Sequence, residues 1–420
     1  MAPARSQSLD TQISRLINQG RFDEAQALFE ANAPSEADRH FFVGRLLKSQ
    51  GLLIPAIASF QMALEREPGH LNARRELTHS LVIVGRFSDA QLNLDILGRE
   101  DLTPSMQPIY AGFQRLIDEN KPAGASASFA LVPSSNINRG TSETVFETSL
   151  GSGLISEDSR ETSGLGVRVG LHGFLRNRLS ERLRLVLKAD LWATKYSEKA
   201  FDTLQAKLTA MLEGRSERLR WSLAPYLRQD WSREEIGPSL APDERFTASL
   251  RAVGAELKLQ FFLDEANSVQ LGVLTEDRRY PVSGFQDGRY NQVRIDYARR
   301  LADDLTFGLG LALNTGRPEP AHLRYDGTEL NASIRKIFSG TVDTSFGLAI
   351  GHRAFEGDYP LRTTPRNDDY WRINLGYRNA DWSVLGSVPS FTCSYTRAHS
   401  NIEFFDYDVS ECQLAFERRF

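Results

Sequence analysis

The spacing of apolar residues divides the chain into two parts. Over residues 1–120 apolar positions recur every three or four residues, which is the period of an amphipathic α-helix. After Gly124 the period changes to two and stays there to Phe420, so that apolar and polar side chains alternate as in half-buried strands. The pattern predicts an α + β multidomain protein, with a helical domain over 1–120 and an antiparallel β-domain over 125–420.

A short motif of glycine, an apolar residue and alanine occurs three times in the helical part. Gly51 and Gly85, which open the last two copies, are 34 residues apart, and this is the tetratricopeptide period. Small residues in such a repeat let two helices approach, and a larger apolar side chain fills the space between them. We interpret the repeats as a groove for a protein or peptide, with a generic helical bundle as the alternative. The groove positions, predicted to have a structural role or a role in client docking, are Gly20, Phe22, Ala25, Gly51, Leu53, Ala56, Phe60, Gly85, Phe87 and Ala90.

The β-part has room for about fourteen strands of the length that a transmembrane barrel uses. Short connections at 176–182, 214–217 and 264–267 alternate with longer ones such as 134–160, which is typical of an outer-membrane barrel with tight periplasmic turns and longer outer loops. Such an arrangement puts both barrel ends, and the helical domain, on the periplasmic side. A soluble β-sandwich is the alternative, but it does not need so many long strands joined so regularly. The penultimate strand is expected to start near Trp382.

If the apolar face of the strands meets lipid, the polar face lines the lumen and carries charges of both signs. The residues predicted to face the lumen are Arg184, Lys188, Asp190, Arg220, Arg228, Glu256, Lys258, Arg294 and Asp296. On the last strand, Phe416 and Phe420 share the apolar face, and a terminal aromatic resembles the signal that the barrel-insertion machinery recognises. We therefore predict that these two residues form an assembly signal.

Composition agrees with this picture and excludes several classes of protein. A chain of 420 residues is longer than a single packed core usually is. It contains no apolar run of about 18 residues, so it is not a helical membrane protein. A net charge of −4 gives no overall basic field for nucleic acid. The first residues do not form an export leader, so an exported protein with this sequence is expected to be a mature or trimmed form.

Two segments at the predicted strand tips are rich in asparagine and aromatic residues. They contain Asn136, Ile137, Asn138, Asn401, Ile402, Phe404 and Tyr407. With these segments, a short repeat domain and a barrel ending in Phe420, the full chain resembles the surface lipoprotein assembly modulator (Slam) family. The resemblance implies an outer-membrane translocon that exports client lipoproteins or secreted soluble proteins from the periplasm to the cell surface.

The same resemblance implies a set of partners. They are outer-membrane lipid, a client protein, periplasmic chaperones that the helical domain engages, and the barrel-insertion machinery, with no nucleic acid and with a monomeric barrel. Two other functions fit a barrel joined to repeats. One is an exopolysaccharide export porin, and the other is a passive porin with a docking domain. The mixed charge of the predicted lumen disfavours the polysaccharide porin, whose pore should show one dominant sign.

The residues point to no enzyme chemistry. The histidines and cysteines lack metal-ligand spacing, and no catalytic set, cofactor site or phosphate loop is expected. Cys393 and Cys412 share the apolar face of adjacent predicted strands, where they either form a cross-strand disulfide or remain two lipid-facing thiols. The first strand is rich in alanine and serine, and small side chains pack weakly across strands. It is either an ordinary closing strand or a weak seam at which a client strand pairs with the barrel edge.

Overall fold

A computed structural model describes the protein in two compact units. The helical unit is Met1–Lys121 and the barrel unit is Pro122–Phe420. The described residues are 3–101, 103, 106–233, 246–339, 341–360, 362–382, 384 and 387–420.

The described part of the helical unit contains seven α-helices. Their bounds are α1 Pro3–Asn18, α2 Phe22–Glu30, α3 Glu36–Ser49, α4 Leu53–Arg66, α5 Leu71–Ile83, α6 Phe87–Glu100 and α7 Gln107–Asn120. The first six form three consecutive pairs with short turns, and α7 packs on α5 and α6. Among the helices within the described ranges, none combines the length and apolar character needed to cross a membrane.

The glycine of each repeat forms the turn inside a helix pair. Gly20, Gly51 and Gly85 have φ angles of 72°, 78° and 79°, which L-residues with a side chain rarely adopt. The residue after each glycine donates its backbone N–H to a carbonyl five residues earlier, as Arg21 does to Leu16 at 2.9 Å. This geometry ends the first helix of the pair and satisfies its last carbonyls. The three glycines are therefore required by the turn and not by a ligand.

The remaining repeat positions form the core between helices. Ala25, Ala56, Phe60 and Ala90 have no exposed surface. A Cβ atom at Gly44 of α3 would lie 2.5 Å from the Phe60 ring, so the absence of a side chain at Gly44 allows α3 and α4 to pack closely. These four positions therefore have the structural role that the repeat motif predicts, and a fully buried side chain has no surface to offer a client.

The other repeat residues are partly covered. Phe22, Leu53 and Phe87 begin the second helix of each pair and are half-buried. Phe22 and Phe87 pack against the apolar clusters of the unit. Each of the three is the first residue of its helix. An apolar residue at this position of the repeat is therefore explained by its place at the start of the helix.

A buried polar cluster joins α5, α6 and α7. Asp101, only 1% exposed, accepts hydrogen bonds from Arg75 Nε at 2.7 Å and from the Tyr110 hydroxyl. The backbone N–H of Thr103 donates to the same carboxylate at 3.2 Å. Burial alone would raise the pKa of Asp101, but the hydrogen bonds from Thr103, Tyr110 and Arg75 outweigh it, so this pKa lies well below its usual range.

The barrel unit confirms the predicted architecture. Fourteen antiparallel strands close into a barrel in which each strand pairs with its neighbour along the chain and the first pairs with the last. A separate two-stranded hairpin, β2 with β3, follows the first barrel strand. The bounds are β1 Ala123–Ser134, β2 Val145–Thr148, β3 Gly151–Leu154, β4 Gly164–Arg178, β5 Leu183–Tyr196, β6 Thr203–Arg215, β7 Leu219–Ser232, β8 Thr247–Phe262, β9 Asn267–Arg279, β10 Gly288–Ala302, β11 Leu305–Pro318, β12 Tyr325–Phe338, β13 Val342–Asp358, β14 Pro365–Asn379, β15 Ser390–Ser400 and β16 Tyr407–Arg419.

The connections differ between the two ends of the barrel. We call the end with the longer connections the loop end; its connections are 135–163, 197–202, 233–246, 280–287, 319–324, 359–364 and 401–406. We call the other the turn end, and there the chain enters β1 and leaves β16. Its connections are 179–182, 216–218, 263–266, 303–304, 339–341 and 380–389.

One turn-end connection is longer than predicted. The strand expected near Trp382 begins instead at Ser390, because Val384 and Ser387 form a local antiparallel bridge within 380–389. The alternation that precedes Ser390 is too short to distinguish such a bridge from the start of a strand.

The two faces of each barrel strand have opposite character. Leu171, Leu187 and Leu309 point outward and are half exposed, whereas Val186 and Ala252, on the other face, have at most 3% exposure. A closed barrel satisfies all its backbone hydrogen bonds internally and can therefore present such an apolar outer face to lipid.

Candidate functional site

The nine residues predicted to face the lumen lie on the inner face of the barrel, at the same strand parity as Val186 and Ala252. Most of them are paired with opposite charges. Arg184 lies 3.0 Å from Glu213, Arg294 lies 2.8 Å from Asp296, and Lys258 lies 2.8 Å from Glu256. Asp190 lies 2.9 Å from a ring nitrogen of His172, and Arg220 stacks on Phe262. The inner wall is thus a mixed-charge surface in which opposite charges largely neutralise each other.

The most buried inner charge belongs to Glu276 on β9. Its carboxylate is 1% exposed and accepts a 2.6 Å bond from Arg278 and a 3.1 Å bond from the Tyr226 hydroxyl. Arg228 lies 3.2 Å from the same group. Tyr226 on β7 reaches Glu276 across Gly254 of β8, where an added Cβ would lie 2.6 Å from the phenol ring. The glycine therefore makes room for a brace that spans three strands.

The same arrangement recurs on another part of the wall. Glu329 on β12 accepts hydrogen bonds from the Tyr370 hydroxyl at 2.9 Å and from Arg372 at 3.2 Å, both on β14. Tyr370 crosses Gly351 of β13, whose added Cβ would collide with the tyrosine ring. Two Tyr–Gly–Glu braces thus stiffen β7–β9 and β12–β14. The alternation indicated which face these residues occupy, but register between strands is needed to see that they meet.

The closure between β1 and β16, which we call the seam, joins the first and the last strand of the barrel. β1 pairs with β4 at every position from Ala123 to Ser134. Its pairing with β16 runs from Ser126 to Leu131 and resumes only at Ser134, and both strands lie wholly within the described residues. One of the two intervening positions is Pro133, which has no backbone N–H to donate. The seam is therefore the less continuous of the two ladders that β1 makes.

The first asparagine-rich segment fastens the loop end of the seam. The backbone N–H of Ser135 donates to the Ser410 carbonyl, and the Ser410 N–H donates to the Ser135 hydroxyl, both at 2.9 Å. Asn136, 2% exposed, donates to the carbonyls of Gly140 at 2.8 Å and Asp408 at 3.0 Å. It also accepts the Gly140 N–H at 2.9 Å. This side chain holds the chain leaving β1 against the chain entering β16.

The neighbouring residues of this segment hold the loop itself. Asn138 donates to the Arg160 carbonyl and accepts the Thr162 N–H at 3.1 Å, while the Ile137 N–H bonds the Thr162 carbonyl at 2.7 Å. The loop after β1 is thereby folded back onto the start of β4.

The second segment lies over the same end of the barrel. Asn401 bonds the backbone of Asn367 at 2.7 Å and of Pro365 at 2.9 Å, and Ile402 is 1% exposed. Phe404 packs on Phe146 of β2 with ring centroids 4.7 Å apart. Tyr407 begins β16 and pairs with Ala398. The two segments meet where Asn136 donates to the Asp408 carbonyl. The contact of Phe404 with Phe146 was not revealed by the sequence, because Phe146 lies in a hairpin that the alternation did not separate.

A lumenal cavity of about 550 Å³ lies beside the seam. Ser128 and Ala130 of β1 and Gln413 and Ala415 of β16 contribute to its wall. Hydrogen-bonding side chains from β4 to β7 complete it, together with two tryptophans; these residues are Arg168, Trp192, Thr194, Gln205, Asp230 and Trp231. A cavity of this kind offers donors and acceptors to a polypeptide main chain and aromatic surfaces to its side chains.

The outer face of the last hairpin carries the two cysteines. Cys393 and Cys412 form a disulfide between β15 and β16, which resolves the two possibilities left by the sequence. Leu375, half exposed, pairs with Cys393 on this outward face. Phe416 lies opposite Phe129 on the same face, and Phe420 is exposed at the turn end. Their role as an assembly signal stays a prediction.

Comparisons with known proteins bear on the barrel. Residues 125–420 match the model of the family described as surface lipoprotein assembly modifier (SlipAM). None of the curated proteins compared with the sequence matches it. Similar solved structures include OmpT of Vibrio cholerae, with 7% identity, a TM-score of 0.39, and coverage of 71% of this chain and 97% of that one. OccAB4 of Acinetobacter baumannii has 8% identity, a TM-score of 0.35, and coverage of 71% and 99%. At these scores neither structure informs function.

Proposed function

Because the chain belongs to the surface lipoprotein assembly modifier family, we propose that it is an outer-membrane translocon and not an enzyme. It moves client lipoproteins, or secreted soluble proteins, from the periplasm to the cell surface. The match of the family model to the whole barrel carries this proposal. The apolar outer face and polar inner face of the closed barrel support it physically.

The unequal connections support an orientation of the barrel in the membrane. The turn end faces the periplasm and the loop end faces the cell exterior, as in barrels with short periplasmic turns. The chain enters β1 at the turn end, so the helical unit is tethered on the periplasmic side, where it engages the client or periplasmic chaperones. Side chains other than the buried repeat positions carry that contact.

The passive porin fits the inner wall less well. Glu276 and Glu329 are each held by a tyrosine and at least one arginine, so inner charges are committed to bracing the wall. Water-filled passage requires no such braces, whereas a protein that opens at one place benefits from a wall that is stiff elsewhere.

We place the transport path at the seam. The small side chains of β1 and the polar cavity against both strands lie together at the seam. The seam ladder is also interrupted beside Pro133, as the β6–β7 ladder is beside Pro225. An opened seam exposes backbone N–H and C=O groups that can pair with an extended client segment. The client backbone would thereby keep its hydrogen bonds while it passes the apolar part of the membrane.

Export is tested by co-expressing the protein with a candidate client encoded beside its gene. Intact cells are then probed for the client by surface protease digestion and by antibody labelling. We expect display or release of the client only when this protein is present. Equal exposure of the client in cells that lack the protein would contradict the proposed function.

The path is tested with two engineered disulfides, each of which joins β1 to one of its two neighbouring strands. Ala130→Cys with Ala415→Cys locks β1 to β16, and Ser128→Cys with Gly170→Cys locks β1 to β4, where the residues of each pair are register partners. We expect the first lock to stop export and reductant to restore it, while the second leaves export unchanged. Normal export through the barrel locked at the seam would show that the client does not pass there.

A further inference from the structure

Five exposed arginines cluster at the turn end of β4–β7. They are Arg178, Arg182, Arg215, Arg218 and Arg220, which we call the arginine lip. The first four line an open pocket of about 590 Å³ between the turns 179–182 and 216–218. The pocket also contains Glu181 and Glu217, so it is basic but not purely so.

Strand register brings like charges together in this region. Arg178 pairs directly with Arg184, and Arg215 pairs directly with Arg220. Like charges opposite each other on neighbouring strands destabilise a sheet. Two such pairings on one rim concentrate positive charge there.

The arginine lip is also short of compensating charge. Arg184 has a partner in Glu213, but none of the five lip arginines forms an ion pair with a carboxylate in the described part of the chain. Arg178 donates only to the Ser180 carbonyl at 3.3 Å, and Arg220 stacks on Phe262. By contrast, arginines deeper in the lumen, such as Arg294, are paired. The lip therefore has unused capacity for an anionic ligand.

The position of the lip favours a ligand that enters the lumen. Arg178, Arg215 and Arg220 lie on the inner-face parity of their strands. The outward neighbours at this level are apolar, with Leu175 61% and Leu179 52% exposed. A phospholipid headgroup would approach from that outer side, whereas a polypeptide entering the barrel would pass the arginines directly.

We propose that the arginine lip binds acidic, extended stretches of the client polypeptide at the entrance to the lumen. This proposal rests on the proposed export function and adds the chemistry by which the barrel receives its substrate. Guanidinium groups bind carboxylates in bidentate fashion, and several on one rim hold a flexible acidic segment without requiring a fixed sequence.

The test uses the full-length protein in nanodiscs of zwitterionic lipid. A fluorescein-labelled peptide rich in Asp, Glu and Ser is titrated by anisotropy, and a peptide with Asn and Gln in place of the acids is its control. The lip variant carries Arg178→Gln, Arg182→Gln, Arg215→Gln and Arg218→Gln. The matched control variant carries four other exposed arginines of outward parity changed to glutamine, which are Arg251, Arg279, Arg289 and Arg299. Heat-dependent gel mobility verifies that both variants retain a folded barrel.

We expect the acidic peptide to bind the wild-type protein and the control variant equally. The lip variant should bind it about tenfold more weakly, because exposed ion pairs contribute modestly each but add over four sites. Binding to the wild type should weaken as salt screens the charges. Equal binding of the neutral peptide, or unchanged binding by the lip variant, would overturn the proposal. The proposal would also be overturned if the lip retained anionic phosphatidylglycerol vesicles and showed no preference for the acidic peptide. The lip would then be a lipid-binding site.

Failure of this inference differs from failure of the export function. If the lip variant exports the client normally and the acidic peptide does not bind, the lip proposal is wrong and export stands. If deleting the whole protein leaves surface display unchanged, the export function is wrong whatever the peptide does.

Discussion

Replacing Asn136 with alanine should release the loop end of the seam. The side chain makes three hydrogen bonds, two as a donor to Gly140 and Asp408 and one as an acceptor from Gly140. Each intramolecular hydrogen bond contributes about 1 kcal/mol, and buried groups left without partners add to the loss. We therefore expect the local opening free energy to fall by about 2 to 4 kcal/mol. A change of that size accelerates amide exchange through local opening by roughly 30-fold or more.

Hydrogen exchange followed by mass spectrometry on the protein in micelles measures this effect. Peptides covering the first residues of β16, which include the Ser410 amide, should exchange faster in Asn136→Ala, while peptides from β10–β12 should not change. Asn401→Ala is the matched control, because it removes two similar bonds whose partners, Asn367 and Pro365, lie on β14 and not on β1 or β16. If Asn136→Ala accelerates exchange equally around the whole barrel, or not at all, Asn136 is not a local fastener of the seam.

Three further substitutions test the packing and electrostatics of the two units. Gly44→Ala forces a methyl group against the Phe60 ring and should destabilise the helical unit by about 1 to 3 kcal/mol. The control Gly98→Ala adds its methyl group to open space and should be neutral or stabilising. Thermal loss of the helical circular dichroism signal measures both effects. Because the pKa of Asp101 is lowered by folding, its stabilisation is present above the ordinary value near 4 and is lost as pH falls toward the lowered pKa. Asp101→Asn should therefore be less stable than wild type at pH 7, with the gap narrowing in acid, and a constant gap would contradict this assignment. Glu276→Gln leaves Arg228 and Arg278 without their carboxylate and should lower the free energy of barrel unfolding in urea by about 2 to 4 kcal/mol. The control Glu256→Gln changes a more exposed carboxylate and should lower it by less than about 1 kcal/mol.

The architecture was predictable because it depends on periodicity. Helical spacing before Lys121 and alternation after it follow directly from which faces must be buried, and a barrel strand repeats every second residue whatever its partner is. The same alternation assigned Arg228 and Glu256 to the inner face. It failed near Trp382, where a local bridge resembles a strand over a few residues.

The site was less predictable because its contacts depend on register and on empty space. Tyr226 reaches Glu276 only because Gly254 stands between them in the ladder, and no spacing along the chain encodes that relation. The repeat alanines, by contrast, have the packing role that the repeat motif predicts. Ala56 was prominent in the sequence because packing requires a small residue there, and the same packing removes it from any docking surface.

The disulfide on the outer face has a consequence for how the cylinder can part. Cys393 and Cys412 join the last two strands covalently, so β16 cannot separate from β15 or slide along it. Any widening of the seam must therefore move β1 on one side, or β15 and β16 together on the other. An opening at the seam would then be bordered by a single movable strand, β1, on one side and by the rigid β15–β16 pair on the other.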